Sequence, residues 1–370
     1  MRLTVNDGQF KQDSSAGTEK LNIVRRRAQI SSEVNYAPPA PPPPRILRGP
    51  CDEVFLRFEL LGNGATSKCY RVEQLHKSQL AMKVIPRQSL DSDTNRRNLN
   101  REILITSRLK HARIVGFQSY FYDCVNVYIC LEFCPYGSLS QLIKSRKGLT
   151  ESEACFLMAN ITRGMEYLHK NLVFHRDIKP GNILLDSEMR PKIADFGLAV
   201  VLPNATSKVT SFAGTPCYMA PEVIVKPRYY GMAADIWSVG TVLFTMVFGR
   251  SPFAGRHISS IYRQVAKADI QFPSTKTYSE ELESLICGIL QLNPGDRPSW
   301  GEILSHSWFT TNYVSRIPCN IYHTPMSSKP LNPAFHFERF MSQTESSIYS
   351  SADLYRDYCL KQLHDPVIIH

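Results

Sequence analysis

Between residues 55 and 132 short strand-like runs, some alternating apolar with polar positions and some almost continuously apolar, stand at 55–61, 68–74, 80–85, 117–122 and 125–131. A period of two is the mark of half-buried strands. The first two runs are joined by a glycine-rich turn. One stretch in this region repeats at helical spacing instead: Leu99, Ile103 and Leu109 predict a helix over 95–109. Beyond residue 135 the longer period dominates, and helices are predicted over 138–144, 151–170, 232–248 and 280–291. A strand-rich unit followed by a helix-rich unit argues an α+β fold in two lobes, about 55–132 and 135–309. The expected ligand site is the cleft between them. On either side the pattern fades. Residues 1–50 are polar and read as a disordered arm. The arm ends in the proline-rich linker Ala37-Pro38-Pro39-Ala40-Pro41-Pro42-Pro43-Pro44, where fixed φ and missing donors favour an extended polyproline helix. Residues 310–370 read as a mostly irregular tail, with a short helix over 352–363.

Composition narrows the class. The chain has 370 residues, 43% hydrophobic and 21% charged, ordinary for a globular protein with a sizeable core. Its net charge is +10, spread along the chain except for the run Arg25-Arg26-Arg27. That balance favours acidic partners. Nucleic-acid binding would call for a concentrated patch within a recognisable module, and neither is found, so no nucleic-acid partner is expected. The ten cysteines form no Cys-x-x-Cys pair and no zinc-ligand pattern with histidine. Several, Cys124 and Cys130 among them, stand in apolar strand-like runs where a thiol packs as a small hydrophobe. A reduced intracellular setting follows as the expectation. From the polar start no secretory signal is expected, and the apolar segment 236–248 is short enough to read as a core helix, so no membrane association is expected. The proline-rich arm reads as a stiff linker, with a docking site for a proline-reading partner as its alternative.

The chemistry lies in an ordered set of motifs. Gly62-Asn63-Gly64-Ala65-Thr66-Ser67-Lys68-Cys69 sits between two predicted strands, where glycines let backbone N–H groups approach phosphates. Ser67 holds the place of a third glycine. No strand-turn-helix unit follows, which disfavours a dinucleotide-binding fold. Ala81-Met82-Lys83-Val84 puts a lysine inside an apolar strand, where it needs an anionic partner. Glu102 on the following helix is the candidate. His175-Arg176-Asp177-Ile178-Lys179-Pro180-Gly181-Asn182 gathers a carboxylate, a cation and an amide on one loop. The set suits phosphoryl transfer: Asp177 orients the hydroxyl and accepts its proton, Lys179 steadies the γ-phosphate, and Asn182 helps hold magnesium. Asp195-Phe196-Gly197 follows a short strand and supplies a second hard oxygen for Mg²⁺. Gly214-Thr215-Pro216, Ala220-Pro221-Glu222, Asp235-Ile236-Trp237-Ser238-Val239-Gly240 and Arg297 complete the set. Each motif alone is weak. Their order, each in its structural context, is strong.

From about residue 55 to 309 the sequence resembles the eukaryotic protein kinases. The resemblance implies a bilobal fold with ATP and Mg²⁺ between the lobes. It also implies that Lys83 contacts the α- and β-phosphates and pairs with Glu102, that Asp177 is the catalytic base, and that Asn182 and Asp195 hold metal. By the same token Glu222 pairs with Arg297, and Asp235 braces the catalytic loop. Lys179 and Thr215 resemble the serine/threonine class. The chain is more closely similar to the Polo-like kinases, through Ser67-Lys68-Cys69-Tyr70, Ile114-Val115-Gly116-Phe117 and Leu131-Glu132-Phe133-Cys134. This implies an adenine site built from Leu61, Gly62, Gly64, Cys69, Ala81, Leu131, Glu132, Cys134 and Leu184, with Leu131 as gatekeeper. Pro180 and Leu184 depart from that family, which usually has Leu and Phe there. The segment 310–318, with Tyr313, Arg316 and Ile317, resembles the one following the Polo catalytic domain. The chain ends about where Polo boxes would begin, so a catalytic domain with other targeting, or a truncated product, is expected. Ser211 occupies the place of the activating threonine, with neighbouring Thr210 as rival, and Arg176 would pair with a phosphate there. The resemblance further implies acidic protein substrates, mitotic signalling, and a place in the cytoplasm or nucleus, at centrosome or spindle. The alternatives are a pseudokinase or scaffold on the same fold, and a different serine/threonine kinase family. A pseudokinase would normally lack Lys83, Asp177 or Asp195, and all are present.

Overall fold

The computed structural model describes residues 42–74, 79–274 and 277–312. The small lobe is one antiparallel sheet built from β1 (Ile46–Arg48), β2 (Val54–Asn63), β3 (Lys68–Gln74), β4 (Gln79–Pro86), β5 (Phe117–Tyr122) and β6 (Asn126–Glu132), in the order β1-β2-β3-β4-β6-β5. Strand β1 falls inside the segment that the sequence assigns to the polar arm. Leu47 is buried with Phe55, Tyr70 and Val72 in this lobe's core, and Ile46 to Arg48 pair with Leu56 to Val54. The folded unit therefore begins before residue 50. A three-residue strand is too short to announce itself by alternation. Most of the proline-rich linker lies outside the described residues. So do Tyr313, Arg316, Ile317 and the helix expected over 352–363.

Register across the sheet sets up the site. Cys69 faces Lys83, and Lys83 faces Ile129. Directly paired residues in an antiparallel sheet share a face, so these three side chains project from one surface. Ala81 and Leu131 are likewise paired. Helix α1 (Asp93–Arg108) starts at Ser92, whose side chain accepts from the Asn95 N–H, and buries Leu99, Ile103, Ile105 and Thr106. Cys124 stands half-buried in the turn between β5 and β6, outside the strand in which the sequence pattern put it.

The large lobe is helical, with α2 (Leu139–Arg146), α3 (Glu151–Lys170), α4 (Pro221–Val225), α5 (Gly231–Phe248), α6 (Ile258–Val265), α7 (Glu280–Ile289), α8 (Trp300–Ser305) and α9 (Ser307–Asn312). Capping boxes at Ser138/Gln141 and Thr150/Glu153 fix the starts of α2 and α3. Helix α5 is long and apolar enough to cross a bilayer, yet it is the core helix: fourteen of its residues are buried. It ends at Gly249, whose φ is 68° and whose hypothetical Cβ would lie 2.4 Å from the Lys147 carbonyl oxygen, so no other residue fits without a backbone shift. Short strands β7 (Val173–Phe174), β8 (Ile183–Leu185), β9 (Pro191–Ile193) and β10 (Val200–Val201) carry the loops between α3 and α4.

A backbone seam joins the two lobes. Just past α1, the Val115 N–H donates to the Ile193 carbonyl (3.0 Å), and the Ile193 N–H donates to the Arg113 carbonyl (2.8 Å). The carboxylate of Glu132, at the end of β6, accepts from the Gly116 N–H (2.9 Å) and pairs with Lys192 on β9 (2.8 Å).

Candidate active site

Between the lobes lies a cleft of about 230 Å³. Its roof is the glycine-rich turn and the β3–β4 surface carrying Gly62, Gly64, Cys69 and Lys83. Its far wall is Leu131, and its floor carries Asn182, Leu184 and Asp195. The turn closes through the Gly64 N–H donating to the Ser67 carbonyl (2.7 Å). Ser67, at the third glycine position, lines the cleft with the rest. Four residues expected to contact adenine are not in this lining. Leu61 is half-buried on β2, and Ala81 lies buried beneath the roof. Glu132 spends its carboxylate on the lobe seam. Cys134 packs behind the wall with Val115, Ala194, Leu131 and Leu184. Burial pushes the thiols up, Cys69 to about 11 and Cys134 to about 12, so both stay neutral and behave as apolar surface.

Lys83 donates to Glu102 Oε1 at 2.5 Å and to Asp195 Oδ1 at 3.1 Å. Burial would lower its pKa, but the two carboxylates reverse this and raise it, so Lys83 is a fixed cation. Burial likewise works to raise the Asp195 carboxyl, and Lys83 more than offsets it, leaving Asp195 below its ordinary range and ionised. Asp195 has φ 65° and Arg176 φ 67°, a left-handed backbone that costs a non-glycine residue roughly 1–3 kcal/mol where it is enforced. Surrounding bonds enforce both. Phe196 is buried against His175, and the His175 ring bonds the Ala194 carbonyl (3.0 Å).

On the loop below, Asp177 sits at the centre of a closed network. Its Oδ1 accepts from the Thr215 N–H (2.9 Å) and hydroxyl (2.6 Å). Its Oδ2 accepts from Lys179 Nζ (2.7 Å) and the Asn182 amide (3.1 Å). Lys179 also donates to the Thr215 hydroxyl (2.8 Å). Because the Asn182 nitrogen is committed to Asp177, its carbonyl oxygen is the atom left for a cation. With the Asp195 carboxylate it offers the hard oxygen donors that Mg²⁺ prefers.

Asp235, fully buried at the start of α5, holds this loop from beneath. It accepts from the backbone N–H of His175 (2.9 Å) and of Arg176 (2.8 Å), and pairs with the His169 ring (2.9 Å). Burial would raise its carboxyl, and the bond from His169 with the surrounding donors brings it below the ordinary value. Glu222 and Arg297 form a bidentate pair at 2.7 Å for each bond, almost wholly buried.

Arg176 donates to the hydroxyl and carbonyl oxygens of Ser211 and to the Leu198 carbonyl (2.6 Å). Ser211 and Thr210 are both exposed. Only Ser211 is bonded to Arg176. Arg101 on α1 was not anticipated from the sequence. Among the described residues its Nε is buried without a partner, and burial followed by repulsion from Arg176 lowers its pKa. Thr106, Val115 and Ile129 also line the cleft unforeseen. Of these, Ile129 was accessible from β-strand register, since it faces Lys83.

Comparison with known proteins matches residues 55–309 to the protein kinase domain. The chain is 39% identical over 268 residues to the cell cycle serine/threonine-protein kinase CDC5/MSD2 of Saccharomyces cerevisiae, covering 72% of this chain and 38% of that one. It is 38% identical over 321 residues to the probable serine/threonine-protein kinase CCRP1 of Zea mays, covering 86% and 50%. It is 36% identical over 273 residues to the serine/threonine-protein kinase PLK1 of Xenopus tropicalis, covering 73% and 45%. The chain thus spans half or less of the length of these relatives. The matched domain covers most of the chain: the chain belongs to the protein kinase family, and its kinase domain is similar to those of the Polo-like kinases.

Proposed function

We propose that the chain is a serine/threonine protein kinase, transferring the γ-phosphoryl group of ATP to hydroxyl groups of protein substrates. The observation that carries this is the assembled pair of clusters: Lys83–Glu102–Asp195 above, and Asp177–Lys179–Asn182–Thr215 below. Lys83, a permanent cation at the cleft's inner end, is placed to bind phosphate oxygens. Asn182 and Asp195 would hold Mg²⁺, which supplies charge neutralisation to the transferring phosphoryl group when bound. Asp177 orients the incoming hydroxyl and takes its proton. Lys179 lies 2.7 Å from that carboxylate and is positioned to meet the charge on the transferred group. The Thr215 hydroxyl ties Lys179 and Asp177 into one geometry, and the serine/threonine class is supported by the names of the relatives.

The test is transfer from labelled ATP with Mg²⁺ to serine, threonine and tyrosine peptide libraries. Transfer to Ser and Thr, with enrichment of acidic residues before the target, is the expected result. Transfer to tyrosine alone, or none, would overturn it. Cell-cycle signalling is the setting inferred from the printed name of the yeast relative, with the cytoplasm, nucleus or spindle as its places.

Control by phosphorylation follows from the Arg176–Ser211 contact. A phosphate on Ser211 would meet Arg176 and the unpartnered Nε of Arg101, tying α1 and its Glu102 to the catalytic loop. The unmodified hydroxyl already bonds Arg176, so basal activity is expected. Ser211→Ala should lower turnover roughly tenfold, the equivalent of one charge-assisted contact, and Ser211→Asp should restore part of it. Unchanged rates in both, with loss in Thr210→Ala, would move the site to Thr210.

A further inference from the structure

The support under the catalytic loop does not stop at Asp235. His169 is buried on α3, and its two ring nitrogens are both engaged. Nε2 lies 2.9 Å from Asp235 Oδ2. Nδ1 accepts from the indole N–H of Trp300 on α8, also at 2.9 Å. Indole nitrogen can only donate, so Nδ1 must present its lone pair. The ring proton is then on Nε2, and it is directed at the carboxylate. The chain of donors runs Trp300 to His169 to Asp235, and Asp235 in turn accepts from the amides of His175 and Arg176 beside the catalytic Asp177. It links α8, α3 and α5 to the loop through buried groups: Trp300 is 5% exposed, His169 4% and Asp235 0%.

We infer that Trp300 is a positioning residue for phosphoryl transfer, acting by fixing the protonation state of His169. With Nδ1 occupied, His169 remains a neutral donor, and the full negative charge of Asp235 is available to the two loop amides. Without the indole N–H, Nδ1 becomes an unsatisfied basic nitrogen close to a buried anion, which favours a second proton. An imidazolium would compete for the charge that holds the loop. The titratable and charged groups around His169 are few. Asp235 faces it from α5, and His175 and Arg176 stand on the loop that Asp235 binds. The Glu222–Arg297 pair lies beyond, where Arg297 bonds the Ala233 carbonyl of α5. Glu302 of α8 is exposed and capped by Ser299, so it does not intervene. Phe174 packs against the ring and carries no charge.

This inference rests on the phosphotransfer reading only where activity is measured. The primary test does not: nitrogen NMR of the ¹⁵N-histidine-labelled full chain, with His169 assigned through His169→Gln. Wild type should show His169 as the neutral Nε2-protonated tautomer at pH 7. Trp300→Phe keeps a ring in place and removes the donor. In this variant the Nε2-protonated form of His169 should no longer be the single form seen, and kcat should fall roughly three- to tenfold, the loss of about one hydrogen bond's worth of positioning. That fall should deepen at lower pH, with KM for ATP little changed. An Nδ1-protonated or cationic His169 in wild type at pH 7 would overturn the inference whether or not the variant folds. So would a Trp300→Phe enzyme whose pH profile parallels wild type. If the protein transfers no phosphate at all, the NMR result still decides the His169 assignment, and the proposed activity fails separately.

Discussion

Asp195→Asn should reduce transfer to serine and threonine peptides by about 10²–10³-fold, the scale on which a single preorganised electrostatic contact acts at a reacting phosphoryl group. The substitution keeps the shape of the side chain and removes its charge. Two consequences follow from the geometry. A cation-binding carboxylate is replaced by a neutral amide, and Lys83 loses one of the two anions that hold it, while Glu102 remains at 2.5 Å. Lys83 therefore stays in place, and the fold should keep its melting temperature within a few degrees. The loss should fall mainly on turnover and on the magnesium concentration required, read from initial rates at several Mg²⁺ levels. A variant with near-normal turnover at ordinary magnesium would show that Asp195 does not contribute to the reacting complex.

The largest expected effect on stability lies far from the cleft. Arg297→Ala leaves the Glu222 carboxylate buried without its guanidinium. It also removes donors from the Ala233 carbonyl (2.7 Å) and the Gln291 carbonyl (2.9 Å), and a cation lying over the Trp237 ring. Breaking a buried pair from one side costs roughly 3–5 kcal/mol. For a domain of this size that corresponds to a fall in Tm of about 8–15 °C. Thermal unfolding monitored by circular dichroism would measure it. Converting both partners to apolar residues, Arg297→Met with Glu222→Leu, should recover part of the loss, because no charge is then stranded. A shift under about 2 °C in Arg297→Ala would mean that Glu222 finds water or another donor.

Much of this was legible before any coordinates. Strand β3 and helix α3 have the bounds that the sequence predicts, and each begins on a sharp signal: a glycine turn for β3, and Thr150 with Glu153 for α3. The hydrogen-bond network around Asp177 was readable too, since Asp177, Lys179 and Asn182 lie within six positions of one loop and Thr215 heads a motif of its own. What escaped was of two kinds. Strand β1 and helix α8 are too short for periodicity to register. Arg101, Thr106 and His169 have roles created by tertiary contact, and on a helix they read as ordinary polar positions. Glu132 is a further case. It sits inside a motif whose backbone position suggests adenine, yet its carboxylate is drawn away by Lys192, sixty residues further on, which no local pattern could show.

The seam between Arg113, Val115 and Ile193 has a mechanical consequence. It pins the chain just beyond α1 to the floor of the large lobe, so a swing of α1 would turn about its C-terminal end. At about 1.5 Å per residue, Glu102 stands roughly 10 Å from that hinge and the Ser92 end about 25 Å. A swing of some 10° would carry Glu102 about 2 Å and break its bond to Lys83, while the outer end travels about twice as far. Anything that takes hold near Ser92 therefore works with a lever on Lys83, and a modest push at the rim is enough to open or close the circuit at the centre.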